Sequence, residues 1–321
     1  MKFIYTLIVA MMSLHVMAQD PHFTQFYYAP FSVNPAYAGV FDGQARVVAN
    51  YRNQWGNISP FSTAAVSADM KLGIQDENMS NPFNVGVQLM NDRSMKGAFQ
   101  SNYATLAASY FVKLDYEGRN SLGAGFSGSY GSRRIDFSGL SFDQQLTTNG
   151  FDRSIPTGES ALQALKPFAS LGAGLLYRHE NSDMGEFMDV GVSAFHFNKP
   201  RQSVLDDKNQ FVPLRISCQF SYQKYLDDFL MLNLRGLYQS QASVTYYQAG
   251  LSLAKLINES NDLVGAGLWY RTGDAVSPYV FMEYRKLLIG FSYDVAVNDL
   301  KKGSRPAKSL ELSLQWRMDR E

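Results

Sequence analysis

The stretch that decides the predicted fold is LRISCQFSYQ, residues 214–223, in which apolar and polar side chains alternate at every position. Successive side chains of a β-strand point to opposite faces, so a period of two predicts a strand with one apolar and one polar face. The same alternation recurs in LELSLQWR, residues 310–317, and in LLIGFSYDV, residues 287–295. The chain is therefore predicted to be all-β.

The alternation continues from Gln44 to the end of the chain and predicts about fourteen strands, an even number. Each is about 10 residues long or slightly longer, which is the length that a tilted strand needs to cross a bilayer. The predicted strands are 44–55, 62–73, 83–93, 99–114, 119–132, 168–178, 186–198, 212–225, 229–239, 243–256, 261–272, 275–285, 287–297 and 308–318.

A soluble β-sandwich also alternates, and two features favour a membrane barrel instead. The polar faces carry mainly Gly, Ser, Thr, Asn and Gln rather than the Lys and Glu expected of a face in water. The connections predicted to be long, 133–167, 199–211 and 298–307, are all odd-numbered, as when long loops lie on one side of the membrane. Residues 44–321 are therefore predicted to form a transmembrane antiparallel β-barrel in contact with outer-membrane lipid.

The first residues have the layout of a secretory signal peptide. Lys2 precedes the apolar run Phe3–Met12, and Val16-Met17-Ala18 places small residues before a cleavage point. Residues 1–18 are predicted to be removed on export, with the mature protein located in the outer membrane. No stretch supplies the roughly 20 consecutive apolar residues that a spanning helix needs.

Charge and cysteine content exclude several classes of function. Lys plus Arg (29) equal Asp plus Glu (29), which argues against a nucleic-acid partner. Cys218 is the only cysteine, so the chain forms no internal disulfide and no thiolate metal cluster. We predict no cofactor and no metal site.

Residues 19–43 differ from the rest of the chain, because Pro21, Pro30 and Pro35 interrupt any strand ladder. The segment also contains seven aromatic residues, Phe23, Phe26, Tyr27, Tyr28, Phe31, Tyr37 and Phe41. Irregular backbone is not tolerated in contact with hydrocarbon, so the segment is predicted to plug the lumen or to pack beneath the barrel on the periplasmic side. Inward glycines such as Gly125 and Gly174 would leave room for it.

Three motifs carry a family resemblance: QDPHFTQFY at 19–27, NPAYAG at 34–39 and YRNQW at 51–55. Together with LSFDQQ at 140–145 and HFNKPRQS at 196–203, they resemble the PorP/SprF family of type IX secretion system membrane proteins. The resemblance implies an outer-membrane component of the secretion and gliding machinery. It also implies translocon subunits, and the C-terminal sorting domains of secreted adhesins, as partners.

On this resemblance, a set of signature residues is predicted to contact a partner or to pack the plug. They are Phe23, Gln25, Phe26, Asn34, Pro35, Tyr37, Gly39, Arg52 and Trp55.

Motifs that suggest enzymes are weak in this chain. GAGFSG, residues 123–128, fits a dinucleotide-binding pattern, but the strand alternation continues through it, so a strand is favoured. Ser193, His196 and Asn198 lie too close together along one strand to converge as a triad does. The inward acids Asp69, Asp189, Glu283 and Asp294 are predicted to pair with inward arginines, namely Arg46, Arg215, Arg235 and Arg285.

Two other functions stay open from the sequence. A passive porin or small-solute channel would use the polar, glycine-rich interior directly, provided that nothing fills the lumen. An outer-membrane hydrolase would need convergent catalytic groups, which the sequence does not reveal. The non-enzymatic secretion function is the favoured prediction.

Overall fold

A computed structural model describes most of the chain. The described residues are 20–55, 60–72, 83–136, 140–152, 154–156, 165–181, 184–202, 210–257, 262–297 and 308–319. The predicted signal peptide, residues 1–18, lies outside them. No helix in this described part combines the length and the apolar character required to cross a bilayer.

Fourteen of the described strands close into an antiparallel barrel, as the alternation predicted. Two further strands of two residues each, Leu146–Thr147 and Gly150–Phe151, pair with each other outside the barrel sheet. The last strand pairs with the first, with Met318 opposite Ala45 and Ser309 opposite Gln54. The strands are Ala45–Gln54, Phe61–Lys71, Phe83–Ser94, Phe99–Lys113, Asn120–Ile135, Phe168–Asn181, Glu186–Phe195, Arg215–Tyr225, Leu230–Gln241, Val244–Leu256, Leu263–Arg271, Ala275–Tyr284, Leu287–Ala296 and Lys308–Met318.

The apolar side of each repeat faces outward and the polar side faces the lumen. In the strand Arg215–Tyr225, Ile216 and Phe220 are 40% and 39% exposed, while Ser217 and Gln219 are buried. Antiparallel closure leaves no free strand edge in the barrel sheet, which is what a bilayer requires of a strand assembly. The motif at 123–128 lies inside the strand Asn120–Ile135, as predicted.

Two predicted strand boundaries extend three residues beyond the observed strands. The strand predicted over 186–198 ends at Phe195, because His196 adopts a positive φ of 61° and leaves the ladder. The strand predicted from residue 212 begins at Arg215, after Pro213, which has no N–H to donate.

The predicted rule for loop lengths was also wrong in part. The second connection, residues 72–82, is even-numbered yet long, and residues 73–82 lie outside the described part. Among the odd connections, that between Gln241 and Val244 is a two-residue turn in which Ala242 and Ser243 have positive φ. Loop length therefore supports the barrel less than strand periodicity does.

Residues 20–43, called here the luminal segment, run through the barrel interior. The upper end of the barrel is defined by Gln54 and Lys308, and the lower end by Ala45 and Met318. Asp20 lies at the upper end, where its backbone N–H donates to Gln241. The segment then descends through three short 3-10 turns, Phe26–Tyr28, Pro30–Ser32 and Pro35–Tyr37, and reaches the lower end before Ala45.

Candidate functional site

The upper half of the luminal segment is held by the carboxylate of Glu311. The backbone N–H groups of Thr24 and Gln25 donate to its two oxygens at 2.8 Å each, and Asn50 Nδ2 donates to Oε1 at 2.9 Å. Glu311 is 2% exposed. A buried carboxylate that accepts several N–H bonds is compensated for the water it loses, so this contact fixes the register of the segment.

Arg52, one of the predicted signature residues, links the same part of the segment to two strands. Its Nη1 donates to the carbonyl of His22 at 3.0 Å, and its Nη2 contacts Asp294 at 2.9 Å. Arg271 also contacts Asp294, at 2.8 Å, and donates to Thr24 Oγ1 at 2.7 Å. These buried charges therefore compensate one another in one network.

The NPAYAG motif anchors the segment at mid-height and below. Asn34 Oδ1 accepts the N–H of Ala36 at 2.8 Å and caps a 3-10 turn that begins with Pro35. Its Nδ2 donates to the carbonyls of Leu175 and Val192 at 3.0 and 3.3 Å. One side chain thus stabilises the local turn and attaches it to two adjacent strands.

Gly39 ends this motif in a conformation that favours glycine, with φ of +76°. Its N–H donates to Asp69 Oδ2 at 2.9 Å, and Asp69 is also paired with Arg46 at 2.9 Å. At Gly125 an added Cβ would overlap the backbone of Ala36, so this inward glycine does leave room for the segment.

The aromatic signature residues fill the space between these anchors. Phe23 and Phe26 are 2% and 4% exposed. Phe26 meets the ring of Trp269 edge-on at 5.7 Å between centroids, and Tyr27 stacks on the same ring at 5.7 Å. Tyr37 packs against the same cluster from the lower side. These contacts place apolar surface in an interior whose strand side chains are mostly polar.

Trp55 is the exception among the nine signature residues. It lies just beyond the strand Ala45–Gln54, with φ of 51°, and packs edge-on against Phe61 at 5.2 Å. The other eight signature residues, Phe23, Gln25, Phe26, Asn34, Pro35, Tyr37, Gly39 and Arg52, form or contact the luminal segment.

A cluster at the upper end was not predicted from the sequence. His196 Nε2 lies 2.7 Å from Asp20 Oδ2, and His196 Nδ1 lies 2.6 Å from Ser170 Oγ. Arg215 pairs with Asp20 at 3.1 Å and donates to the carbonyl of Ser32 at 2.8 Å. Burial alone would raise the pKa of Asp20, but Arg215 and His196 outweigh it and hold that pKa well below its usual range.

Ser170, His196 and Asp20 have the hydrogen-bond order of a nucleophile, a base and an acid, although Ser193 and Asn198 take no part. All three are largely buried, and Asp20 is already neutralised by Arg215. The arrangement therefore acts as a latch for the start of the luminal segment. No signal in the sequence joins residues so far apart.

The inward acids are paired as predicted, but mostly with other arginines. Asp69 does pair with Arg46, whereas Asp189 pairs with Arg178, Glu283 with Arg317, and Asp294 with Arg52 and Arg271. Arg285 lies in a turn with φ of 48° rather than inside the barrel. The pairing predicted for Arg215, Arg235 and Arg285 was wrong in this respect.

A cavity of about 370 Å³ remains in the lower half of the lumen. Aromatic residues of the luminal segment and of the wall line it, including Tyr27, Trp269 and Tyr279, and Arg235 also lines it. Within the described residues, no three His, Cys, Asp or Glu side chains are grouped so as to hold a metal ion.

Comparisons with known proteins extend these observations. The model of a family described as type IX secretion system membrane protein PorP/SprF matches residues 16–316. No curated protein matches the chain significantly.

Solved structures share the fold at low sequence identity. A Pseudomonas aeruginosa FadL homologue has a TM-score of 0.52 at 10% identity, covering 88% of this chain and 91% of its own. The TodX deltaS2S3 mutant, a monoaromatic hydrocarbon channel, has a TM-score of 0.51 at 9% identity, covering 91% and 93%. At such identities the likeness concerns the barrel fold alone.

Proposed function

Because the chain belongs to the PorP/SprF family of type IX secretion system membrane proteins, we propose that it supports the secretion or surface attachment of adhesins. In this proposal it is a non-enzymatic component of the outer membrane that receives the C-terminal sorting domains of these cargo proteins. The barrel fold and the family both point to the outer membrane as its location.

The observation that carries the proposal is the match of the family over residues 16–316, which includes the segment that fills the lumen. Four of the signature residues, Gln25, Asn34, Gly39 and Arg52, make hydrogen bonds between this segment and the barrel, and Phe23 and Phe26 are buried inside it. We therefore assign them a structural role and expect partners to bind at the ends of the barrel. A filled lumen suits a receptor better than an open pore.

Deleting the gene and complementing it with the wild-type chain tests this function. We expect the deletion strain to lose secreted or surface-attached adhesins, and the complemented strain to regain them, as measured by surface proteomics and adhesion. Unaltered secretion and attachment in the deletion strain would contradict the proposal. Co-purification from detergent-solubilised outer membranes would identify translocon partners.

The second candidate, a small-solute channel, is favoured only by the lower cavity and by the channel named among the barrels of similar fold. Conductance of the purified protein in a planar lipid bilayer separates the two functions. A receptor with a filled lumen is nearly silent, whereas a porin gives stable open-channel currents.

A further inference from the structure

The lower cavity contains a cation without a protein counter-ion. Each carboxylate that lines it is paired, Asp189 with Arg178 at 2.9 Å, and Asp42 with Arg317 at 3.2 Å, with Glu283 also on Arg317. Arg235 also lines the cavity, yet within the described residues no carboxylate lies within ion-pair distance of its guanidinium. A half-buried cation in this position attracts an anion from outside the chain.

The geometry of Arg235 leaves its hydrogen-bonding edge available. Its Cζ lies 3.6 Å from the centroid of the Tyr27 ring, so the guanidinium lies over the face of that ring. Stacking uses the face of the guanidinium and leaves the N–H donors at its edge, where a carboxylate binds in a bidentate manner. Within the described part of the chain, no side-chain hydrogen bond engages these donors.

The surroundings of Arg235 suit an apolar side chain next to the anion. Tyr27 stacks on Trp269, and Tyr279 stacks on Phe281 at 5.0 Å, so two aromatic surfaces line the same cavity. Trp269 is 3% exposed, and its indole N–H has no protein partner in the described chain. At about 370 Å³, the cavity lies at the small end of ligand pockets and has room for only a short part of a larger molecule.

The cavity lies at the lower end of the barrel. Arg46, Leu288 and Arg317, which line it, lie within two residues of lower strand ends. The first strand begins and the last strand ends at this lower end, whereas the two longest connections between barrel strands, 136–167 and 196–214, lie at the upper end. In outer-membrane barrels the short turns face the periplasm, so this inference assigns the lower end to the periplasm. A polypeptide in the periplasm can therefore enter this cavity directly. Access from the upper end of the barrel is obstructed by the luminal segment.

We propose that the lower cavity binds an extended polypeptide that carries a carboxylate next to an aromatic side chain. Arg235 is the anion-binding residue, and Tyr27, Trp269 and Tyr279 form the aromatic surface. This inference deepens the proposed function and rests on it, since it identifies where and by what chemistry an exported chain would first bind.

Binding to the purified full-length protein in detergent tests the site, with Trp fluorescence and calorimetry as readouts. The probes are a tripeptide that ends in a Phe with a free carboxylate, the same tripeptide with a C-terminal amide, N-acetylphenylalanine and inorganic phosphate. We expect saturable binding of the acid peptide and at least roughly tenfold weaker binding of the amide, because a charge-assisted hydrogen bond is lost.

Variants of two arginines identify the anion-binding residue. Arg235→Gln should reduce the affinity for the acid peptide to that for the amide, and Arg235→Lys should restore part of it. Arg133→Gln is the matched control, because Arg133 lies over the ring of Phe168 at 5.7 Å, near the upper end. It should leave binding unchanged, and circular dichroism should confirm that every variant is folded.

Several results would overturn the proposal. They are equal binding of acid and amide, no saturable binding of either, or the same loss in Arg133→Gln as in Arg235→Gln. Phosphate or N-acetylphenylalanine binding as tightly as the acid peptide would show a small-anion site instead of a polypeptide site. If binding fails while gene deletion still abolishes adhesin secretion, only the site is refuted. If binding holds while secretion is unaffected by deletion, the proposed function is refuted.

Discussion

The two halves of the lumen differ in whether their charged side chains have counter-ions. In the upper half, Arg52, Asp294 and Glu311 are buried against one another and against the luminal segment. The lower half also contains ion pairs, such as that of Arg46 with Asp69, but a cavity of about 370 Å³ remains there, and Arg235 lies on an aromatic ring without a carboxylate. The paired charges stabilise the fold. The guanidinium of Arg235 has no carboxylate partner in the described chain, so it is the charge available to bind a ligand.

The contrast depends on the luminal segment, so removing the segment gives the largest expected effect. We expect a chain lacking residues 20–40 to form an open channel, with stable current steps where the intact protein is nearly silent. Barrels of about 8 strands are filled by their own side chains, whereas those of about 16 leave an aqueous channel. Fourteen strands without the segment are closer to the second case.

Planar-bilayer recordings measure this, and protection of the inserted barrel from trypsin serves as the control for folding. A silent, trypsin-resistant deletion variant would mean that the luminal segment does not close the lumen. The contrast between a filled upper half and an open lower half would then lose its meaning.

In the upper half, substitution of Arg52 should reduce the free energy of unfolding most. Arg52→Met should lower the free energy of unfolding by roughly 3–5 kcal/mol, because removing one partner leaves buried carboxylates without compensation. Asp294 and Glu311 are the carboxylates concerned. Guanidinium unfolding of the protein in detergent, followed by Trp fluorescence, measures the change.

The matched control is Arg134→Met. Arg134 contacts Gln100 in an exposed position and no part of the luminal segment. Its substitution should change the free energy of unfolding by less than about 0.5 kcal/mol. Equal effects of the two substitutions would show that the buried network is not special.

The latch at Asp20 predicts an acid-sensitive upper end. The folded-state pKa of Asp20 lies below its unfolded value, so its stabilising contribution is complete above about pH 5 and is lost as pH falls below about 4. Arg215, His196 and the side chain of Gln241 face Asp20. The local effect should be roughly 1.5–3 kcal/mol, the range for hydrogen bonds to charged groups.

Hydrogen exchange of the amides of residues 20–25 measures this loss. We expect protection in the wild-type chain to fall on acidification, and Asp20→Asn to exchange faster at neutral pH with little further change in acid. The amide of Asn34, which lies away from the latch, provides an internal reference. Protection that is independent of pH in the wild type would refute the latch.

The sequence determined the barrel wall almost completely but the lumen only in part. A period of two is a local signal, so Ile216 and Ser217 can be assigned to opposite faces from their neighbours alone. The contacts of Glu311 with Thr24 and Gln25 join residues far apart in the chain, and no local pattern records them. Strand ends were missed where one residue, such as His196, adopts an unusual φ.

The family motif selected residues that lie in or against the luminal segment, but the motif itself does not state what they do. Asn34, Gly39 and Arg52 were selected by resemblance, and the structure places all three at anchors of the luminal segment. Trp55 came from the same motif and lies apart from the segment. Arg235, in contrast, was predicted to have a carboxylate partner, and it has none in the described chain. The prediction failed because alternation gives the face on which a side chain lies but not its neighbour.

The smallest expected effect concerns Asn34, between the two halves. Asn34→Ala should lower the free energy of unfolding by roughly 1–2 kcal/mol, because the capping bond to Ala36 and the bonds to the carbonyls of Leu175 and Val192 are lost. Asn34→Asp keeps the capping acceptor but places a buried carboxylate against these two carbonyl oxygens, so in chemical unfolding it should lower the free energy of unfolding at least as much as Asn34→Ala. If Asn34→Asp were as stable as the wild type, the strand contacts of Asn34 would contribute nothing to the free energy of unfolding.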